Sequence, residues 1–361
     1  RKEKAMGKRK CIWGILVLFV LLWAMPITAQ TAEEYAFGEN LVSWNGTTFV
    51  GSRDKVYCIE PGVTPWNVML DYATGRDFFA SGNELFFIAD SGSETFLCFY
   101  DMLEKAPYVV IPTTESAELV GRNENKLYYL DLDDGRQSYE GKTLRSYDLS
   151  TGNVTALAEG IGRAMYWNGI IIMSGAASDA SPVEIMMLDA NEQIGLVDEN
   201  CVANFWAGQE GFYYFRCNMT DDISWDGVTL CTIDTNGRRD ISGYAGNYIY
   251  PSVIGIPAGN SYFYFAVNEG GVIAGKAASV ETGQVADVNF PESMGIPVLY
   301  RDGDAGYWYM NKNLYYWSGA GYENVLSVGS SLDDVFLGVA DGMGYYDKAG
   351  EGDTLMQVPL R

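Results

Sequence analysis

The stretch KLYYLDLDDGRQSYEGKTLRSYDLSTGNVTAL, residues 126–157, shows most clearly how this chain folds. An apolar segment rich in tyrosine is followed by a polar loop, a second apolar segment, the turn sequence STG and a third apolar segment. Tyrosine and β-branched residues favour the half-buried surface of a sheet, whereas glycine, asparagine and aspartate favour turns. The stretch therefore predicts consecutive antiparallel strands joined by short turns.

The same pattern recurs along the chain, and each unit contains up to four short segments of strand-like composition. The turns between first and second segments lie 36 to 51 residues apart, at Gly46, Gly82, Asn123, Gly169, Gly208, Gly259, Gly303 and Gly342. After the first thirty residues, no window keeps the 3.6-residue period of an amphipathic helix. A repeat of this length with four strands is typical of a propeller blade. We therefore predict an all-β, eight-bladed β-propeller of four-stranded blades, with seven blades as the alternative.

Two copies of one motif support this repeat. SYEGKTL begins at Ser138 and SWDGVTL begins at Ser224, 86 residues later, which is about two repeat lengths. The acid and glycine favour a turn, and the threonine and leucine favour a strand. We interpret both copies as structural corners before the third strands of blades three and five.

The two ends of the repeat region differ in their number of segments. The last unit has only three strand-like segments before Arg361, whereas Glu34–Leu41 precedes the first unit. An open propeller would expose unpaired strand edges. We therefore predict that Glu34–Leu41 forms the outer strand of the last blade and closes the propeller.

The unit at Lys126–Leu157 resembles the repeats of TolB-like and PQQ-repeat-like propellers, which share the pattern LYxxDxxTGxxxxL. The resemblance is clear in this unit, partial in TFLCFYDMLEK (residues 95–105) and TLCTIDTNGRRDI (residues 229–241), and limited to the strand rhythm elsewhere. It implies an extracytoplasmic bacterial propeller that holds partners, and it implies no chemistry. Ala156 and Leu157 occupy the place where a PQQ-type repeat carries tryptophan, so we expect no quinone cofactor.

The first 29 residues have the composition of a targeting segment. A basic stretch is followed by the apolar run Cys11–Met25, then Pro26 and the small residue Ala29. This order predicts a signal peptide over residues 1–29 and a single propeller domain over residues 30–361. An apolar run of 15 residues is shorter than the roughly 20 needed to span a bilayer. We therefore expect a secreted or extracytoplasmic protein, associated with the cell surface, with no membrane span in the mature chain.

Charge and composition exclude several classes of function. The chain has 24 basic and 47 acidic residues, a net charge of −23, and no histidine. Nucleic-acid binding depends on lysine and arginine neutralising phosphates, so the acid excess argues against it. Without histidine, catalysis by Ser-His-Asp or Cys-His and metal binding by imidazole are excluded. An enzyme on this chain would have to use carboxylates, tyrosine, lysine or arginine.

Three tryptophans are candidate binding residues. Trp44 and Trp167 lie in matching WNG turns, and Trp206 lies just before another turn. Turns between first and second strands lie on one face of a propeller, so these side chains predict a stacking platform for sugar or peptide. Packing between blades is the alternative role.

Two acidic clusters are candidate calcium sites, because calcium binds several carboxylate and carbonyl oxygens. The predicted ligands are Asp131, Asp133, Asp134, Asp221, Asp222 and Asp226. Neither cluster has the alternating acids and distal glutamate of an EF-hand loop, so solvated loops are the alternative. We expect no other cofactor.

Two cysteines are candidates for a disulfide. Cys201 and Cys217 lie eight residues on either side of Gln209, in a predicted turn. A hairpin centred there would place them opposite each other, and an oxidising compartment would allow them to form a disulfide.

These features predict a secreted, monomeric, non-catalytic propeller that binds a protein or glycan through one face. The alternative is a carboxylate-based carbohydrate-active enzyme, a glycosidase or lyase. A glycosidase needs two acids roughly 5 to 9 Å apart around a sugar bond. The sequence does not show which acids meet, so we expect no enzymatic activity but keep this alternative open.

Overall fold

The chain was analysed as a computed structural model. It describes residues 35–133, 136–137, 140–177, 182–208, 211–221, 225–234, 237–245, 254–258, 262–269, 272–288, 298–302, 305–317, 322–328, 334–349 and 354–360. Within this part of the chain all 30 regular elements are β-strands, and neighbouring strands pair antiparallel. No helix among these residues has the length and apolar character needed to cross a membrane. The prediction of an all-β protein is confirmed.

The strands form six sheets. The first sheet contains β2 (Leu41–Trp44), β3 (Thr47–Ser52), β4 (Lys55–Ile59) and β5 (Asn67–Leu70). The second has the order β1 (Tyr35–Gly38), β6 (Thr74–Ser81), β7 (Glu84–Asp90), β8 (Thr95–Asp101) and β9 (Ala106–Thr113). The third contains β10 (Glu118–Asn123), β11 (Lys126–Asp131), β12 (Lys142–Asp148), β13 (Val154–Trp167), β14 (Ile170–Gly175), β15 (Val183–Leu188), β16 (Ile194–Ala207), β17 (Gly211–Met219), β18 (Trp225–Asp234) and β19 (Gly237–Ala245).

The remaining three sheets come from the C-terminal part of the chain. The fourth contains β20 (Ile254–Ala258), β21 (Tyr262–Glu269), β22 (Val272–Ser279) and β23 (Val285–Val288). The fifth contains β24 (Val298–Asp302), β25 (Ala305–Met310), β26 (Asn313–Trp317) and β27 (Tyr322–Ser327). The sixth contains β28 (Val335–Ala340), β29 (Met343–Lys348) and β30 (Thr354–Pro359).

The ten-stranded sheet is three four-stranded units joined by two long strands. The first half of β13 pairs with β12, and its second half pairs with β14, with a register shift between Ile161 and Arg163. In the same way β16 pairs first with β15 and then with β17, with a shift between Cys201 and Phe205. Each long strand is therefore the outer strand of one unit and the inner strand of the next.

The first strand of each unit contacts the first strand of the next unit. Contacts join β2 to β6, β6 to β10, β10 to β13, β13 to β16, β16 to β20, β20 to β24, β24 to β28 and β28 to β2. We call these first strands the inner strands, and the space that they line the central channel. Antiparallel sheets arranged radially around inner strands form a β-propeller. The prediction of a propeller is confirmed.

Turn chemistry explains the hairpins at the start of the units. Both residues of the Asn45–Gly46, Asn168–Gly169 and Asp341–Gly342 turns have positive φ. Turns of this type match the twist of the flanking strands, and asparagine, aspartate and glycine adopt positive φ most readily. Within the STG turn, one Asp148 carboxylate oxygen accepts hydrogen bonds of 2.9 Å from the backbone nitrogens of Ser150 and Thr151. This supports the interpretation of the opening stretch as scaffold.

The core lies between neighbouring sheets, and it is largely aromatic. In β7, five consecutive residues from Leu85 to Ala89 are buried, because the second sheet is covered on both faces. Phe86 belongs to the cluster shared with the third sheet, whereas Phe87 belongs to the cluster shared with the first. A strand covered on both faces is apolar throughout instead of alternating.

The predicted position of the N-terminal strand is wrong. Glu34 lies outside the described residues, and Tyr35–Gly38 pairs with the inner strand β6, where Tyr35 faces Ser81 and Gly38 faces Phe78. In the described part of the last sheet, the order is β28, β29 and β30, without an N-terminal strand. The physical reason is aromatic packing. The Tyr35 ring stacks on Phe79 with centroids 5.4 Å apart.

Candidate functional site

The central channel contains a cluster of charged residues where β6 is irregular. The β6 sequence TGRDFFAS has Arg76 and Asp77 within a strand whose other residues are mostly apolar, and its pairing with β7 shifts between Arg76 and Phe79. Asp77 has a φ of 52°, in the left-handed region. Its backbone nitrogen donates a 2.6 Å hydrogen bond to the carbonyl oxygen of Glu39, which follows β1. Non-glycine residues held in this conformation are concentrated at functional sites.

Arg76 links two units of the propeller. Its guanidinium lies 2.9 Å from the Asp77 carboxylate, and it also donates hydrogen bonds to the carbonyl oxygens of Ala117 and Glu115, just before β10. These four residues therefore connect inner strand β6 to the beginning of inner strand β10. Because its guanidinium is shared with two carbonyls, Arg76 only partly neutralises Asp77.

The Asp77 carboxyl group titrates close to neutral pH. Burial raises its pKa from the ordinary 3.8 to about 6, Arg76 opposes the rise, and Glu118 and Glu39 add to it. Only 13% of its side chain is exposed. A carboxyl group with this pKa gains or loses a proton in response to small changes in its surroundings.

Two further basic residues lie at this cluster. Lys142 Nζ lies 2.5 Å from a carboxylate oxygen of Glu118. Arg163, on the inner half of β13, makes no ion pair with any described residue, and its guanidinium lies 5.4 Å from the centre of the Phe205 ring. Burial lowers the pKa of Arg163, and the nearby Glu118 and Glu39 oppose this effect. The Arg163 guanidinium therefore lies near carboxylates without forming an ion pair with a described one.

The N-terminal strand β1 lies in the channel beside this cluster. It pairs with the edge of β6 opposite β7. The Tyr35 ring contacts Tyr166 edge to face at 5.1 Å, and its hydroxyl donates a 3.4 Å hydrogen bond to the Tyr166 carbonyl oxygen. Burial raises the pKa of Tyr35 to about 12. The side chain of Phe37, two residues on, is 43% exposed.

These groups together suit an extended peptide. The edge of β6 offers backbone hydrogen bonds, Phe79 and Tyr166 form an aromatic pocket, and Arg163 offers a charge to an acid. Sequence reasoning missed this site. Its signal was present as Arg76, Asp77 and Arg163, which are charges within inner-strand sequences that are otherwise apolar. Without the position of β1, nothing in the sequence places these three together.

The three predicted binding tryptophans lie in different units of the propeller. Each of them contacts the next unit. Trp44 Nε1 donates a 2.8 Å hydrogen bond to the Gly82 carbonyl oxygen, and Trp167 Nε1 donates a 3.1 Å hydrogen bond to that of Gly208. Trp206 packs on Phe263 of the fourth sheet, with centroids 5.5 Å apart. These contacts fit the scaffold alternative. A binding role for the three side chains stays a prediction.

Asp131 and Asp133, two of the predicted calcium ligands, are occupied by protein donors. A carboxylate oxygen of Asp131 accepts a hydrogen bond of 2.5 Å from the Thr114 hydroxyl. Asp133 accepts one of 2.6 Å from the Thr143 hydroxyl and forms an ion pair with Arg145. Asp131 thus ties the end of β11 to the segment that follows β9, and Asp133 contacts residues of β12.

Asp134 and Asp222 lie outside the described residues, and Asp221 and Asp226 are exposed. No group of three acidic or cysteine side chains in the described ranges is close enough to hold a metal ion. The calcium site remains a prediction, because each predicted cluster includes a residue outside those ranges.

The predicted disulfide between Cys201 and Cys217 is wrong, because both thiols are free and buried. Cys201 faces Arg216 across the β16–β17 pair, and Cys217 faces Val228. Side chains one register position apart point to opposite faces of a sheet. The two thiols accordingly belong to different core clusters. Burial raises the pKa of Cys217 to about 12.

Comparisons with known proteins give structural neighbours only. No protein-family model matches the chain, and no curated protein matches its sequence. A prolyl endopeptidase structure matches with a TM-score of 0.59 and 13% identity over 87% of this chain and 54% of its own. A post-proline cleaving enzyme from Rickettsia typhi matches with a TM-score of 0.54 and 11% identity, over 89% of this chain and 58% of its own. The tricorn protease matches with a TM-score of 0.52 and 13% identity, over 82% of this chain and 35% of its own.

These neighbours correct the functional prediction. At this identity the likeness shows the fold, and the chain spans between 35% and 58% of the length of the three structures. All three are peptidases, and none is a non-catalytic binding protein or a carbohydrate-active enzyme. The prediction of a non-catalytic protein that binds protein or glycan is therefore wrong, and so is the carbohydrate-active alternative. Secretion stays a prediction.

Proposed function

We propose that this chain is a protease-associated β-propeller whose central channel receives extended peptide segments for a peptidase. The observation that carries the proposal is the position of Tyr35–Gly38, which pairs as a strand with β6 inside the propeller. The channel thus accommodates a polypeptide in the conformation that peptidases bind as substrate. The addition of a strand to a free sheet edge is a general mode of peptide recognition.

The absence of histidine supports a division of labour between the propeller and a peptidase. Ser-His-Asp and Cys-His chemistry cannot be carried out by a chain without histidine. The three structural neighbours are longer than this chain, and all three are peptidases. The cleavage step is therefore assigned to a separate peptidase or a further domain, and peptide admission to the propeller.

The proposal is tested by capture and kinetics. The purified chain is immobilised and exposed to extract from its source cells, and retained material is assayed with internally quenched peptides of 8 and 30 residues. We expect a retained peptidase whose KM for peptides changes at least threefold when free chain is added. An unrelated propeller as bait is the control. Unchanged peptide kinetics, with no retained peptidase activity, would exclude the proposed function.

We also propose that the propeller has eight blades and is closed by contact between the first and last sheets. This proposal is supported by Ser52 and Asp347, whose buried side chains hydrogen-bond between β3 and β29. Leu41 and Val50 of the first sheet also share a core cluster with Tyr345 of the last. The measurement is a double-mutant cycle of Ser52→Ala and Asp347→Ala. We expect a coupling free energy of about 1 kcal/mol or more, and zero coupling would contradict closure through this contact.

A further inference from the structure

The strand β1 is held in the channel by few contacts. Only four residues pair with β6, and β1 is the last strand in the order of its sheet. Ordering four residues costs about 4 to 8 kcal/mol, at about 1 to 2 kcal/mol each. Burial of one large side chain contributes about 1.5 to 3 kcal/mol, and each hydrogen bond about 1 kcal/mol. These terms nearly cancel, so the segment is suited to exchange with a competing strand.

The pocket beneath β1 selects an aromatic side chain. The Tyr35 ring packs against Phe79 of β6 and Tyr166 of β13, which belong to inner strands two units apart and also contact each other. Tyr166 crosses over Gly121 of β10, where a Cβ atom would lie 2.3 Å from the Tyr166 Cβ. The glycine therefore allows Tyr166 to reach Phe79. A flat ring with a hydroxyl at its end fits against these two rings.

Charge pairing does not hold β1 in the channel. Arg76 is paired with Asp77, and Lys142 is paired with Glu118. Arg163 makes no ion pair with a described residue, and this includes Glu39, which follows β1. The segment in the channel is therefore held by its backbone and its aromatic ring.

We propose that the inner edge of β6 and the Phe79–Tyr166 pocket form a binding site for an extended peptide with an aromatic residue. In this structure residues 35–39 of the chain occupy the site as a ligand in cis. Only the source of a competing peptide depends on the proposed function. The binding site itself does not. A substrate or partner segment that binds here must displace β1.

The test uses the chain's own segment in trans. A fluorescein-labelled peptide of sequence YAFGENL, residues 35–41 with blocked ends, is titrated with the full chain and followed by anisotropy. In the variant Tyr35→Ala the cis segment loses its anchor, so we expect at least tenfold tighter binding than to the unaltered chain. Tyr35→Phe is the matched control, because it keeps the ring. Equal affinity for the unaltered chain and Tyr35→Ala would overturn the proposal.

Hydrogen exchange of the unaltered chain gives a measurement that does not depend on the folding of variants. We expect the backbone amides of Tyr35–Gly38 to exchange at least a hundredfold faster than those of β7, because β1 leaves the channel without unfolding the sheet. Exchange of β1 only together with β7 would make β1 a permanent strand and overturn the proposal. Peptide binding without association of a peptidase would support this site and exclude the proposed function. Association of a peptidase without peptide binding at β6 would exclude only this site.

Discussion

Replacement of Asp77 by asparagine should change the pH dependence of stability. Burial raises the pKa of Asp77 from 3.8 to about 6 in the folded protein, despite the adjacent Arg76. Between these values the folded state binds more protons at this residue than the unfolded state does, so the free energy of unfolding falls as pH rises. A rise of about 2.2 pKa units corresponds to about 3 kcal/mol, of which about 2 kcal/mol is lost between pH 4 and pH 6.

Asparagine has no charge to bury, and it tolerates the left-handed φ of 52° at this position. Asp77→Asn should therefore gain stability relative to the unaltered chain as pH rises. The difference in the free energy of unfolding should grow by about 2 kcal/mol from pH 4 to pH 6 and level off above pH 7.

The assay is urea unfolding at half-unit pH steps, followed by circular dichroism and tryptophan fluorescence. Asp71→Asn, at an exposed carboxylate three residues before β6, is the control for removal of one negative charge. A difference curve for Asp77→Asn that is independent of pH would refute the raised pKa. A difference that falls with pH would show that the pair with Arg76 outweighs the cost of burial.

Three further predictions concern packing and the cysteines. Gly51→Ala should lower the free energy of unfolding by at least about 2 kcal/mol, because its Cβ would lie 1.7 Å from a carbonyl oxygen of β6. Gly195→Ala is the control, and it should change the urea midpoint little because the space around Gly195 is open. Trp167→Phe should lower the free energy of unfolding by about 1 kcal/mol, since it removes the hydrogen bond to the next unit; an unchanged melting temperature would argue against this link. Cys201 and Cys217 should resist iodoacetamide in the folded protein and both react in urea, and a disulfide-linked peptide in the mass spectrum would contradict their free state.

Much of the fold is predictable from the sequence because its determinants are local. The Asn-Gly turns at residues 45–46 and 168–169 favour a hairpin wherever they occur, and they do so here. The opening stretch folds as strand, loop, strand and turn because each segment carries its own propensity and turn residues. Repetition of such units about every 42 residues is sufficient to indicate a propeller.

The candidate site depends on distant pairings that no local pattern encodes. The composition of Tyr35–Gly38 shows that it can form a strand, but it fits the edge of β6 as well as that of the last sheet. Only the pocket formed by Phe79 and Tyr166 favours the first position. The cysteine prediction failed for a similar reason, because a register shift of one residue reverses the face of every side chain.

The sequence by itself determined the all-β class, the repeat and the exclusion of histidine chemistry, since these follow from composition and from interactions between near neighbours. Only the tertiary structure decided that β1 lies in the central channel and that Asp77, Glu118 and Arg163 meet there. The physical reason is that strand edges pair through backbone groups, which are the same in every residue other than proline. The partner of a strand is therefore selected by side-chain packing between segments far apart in the chain.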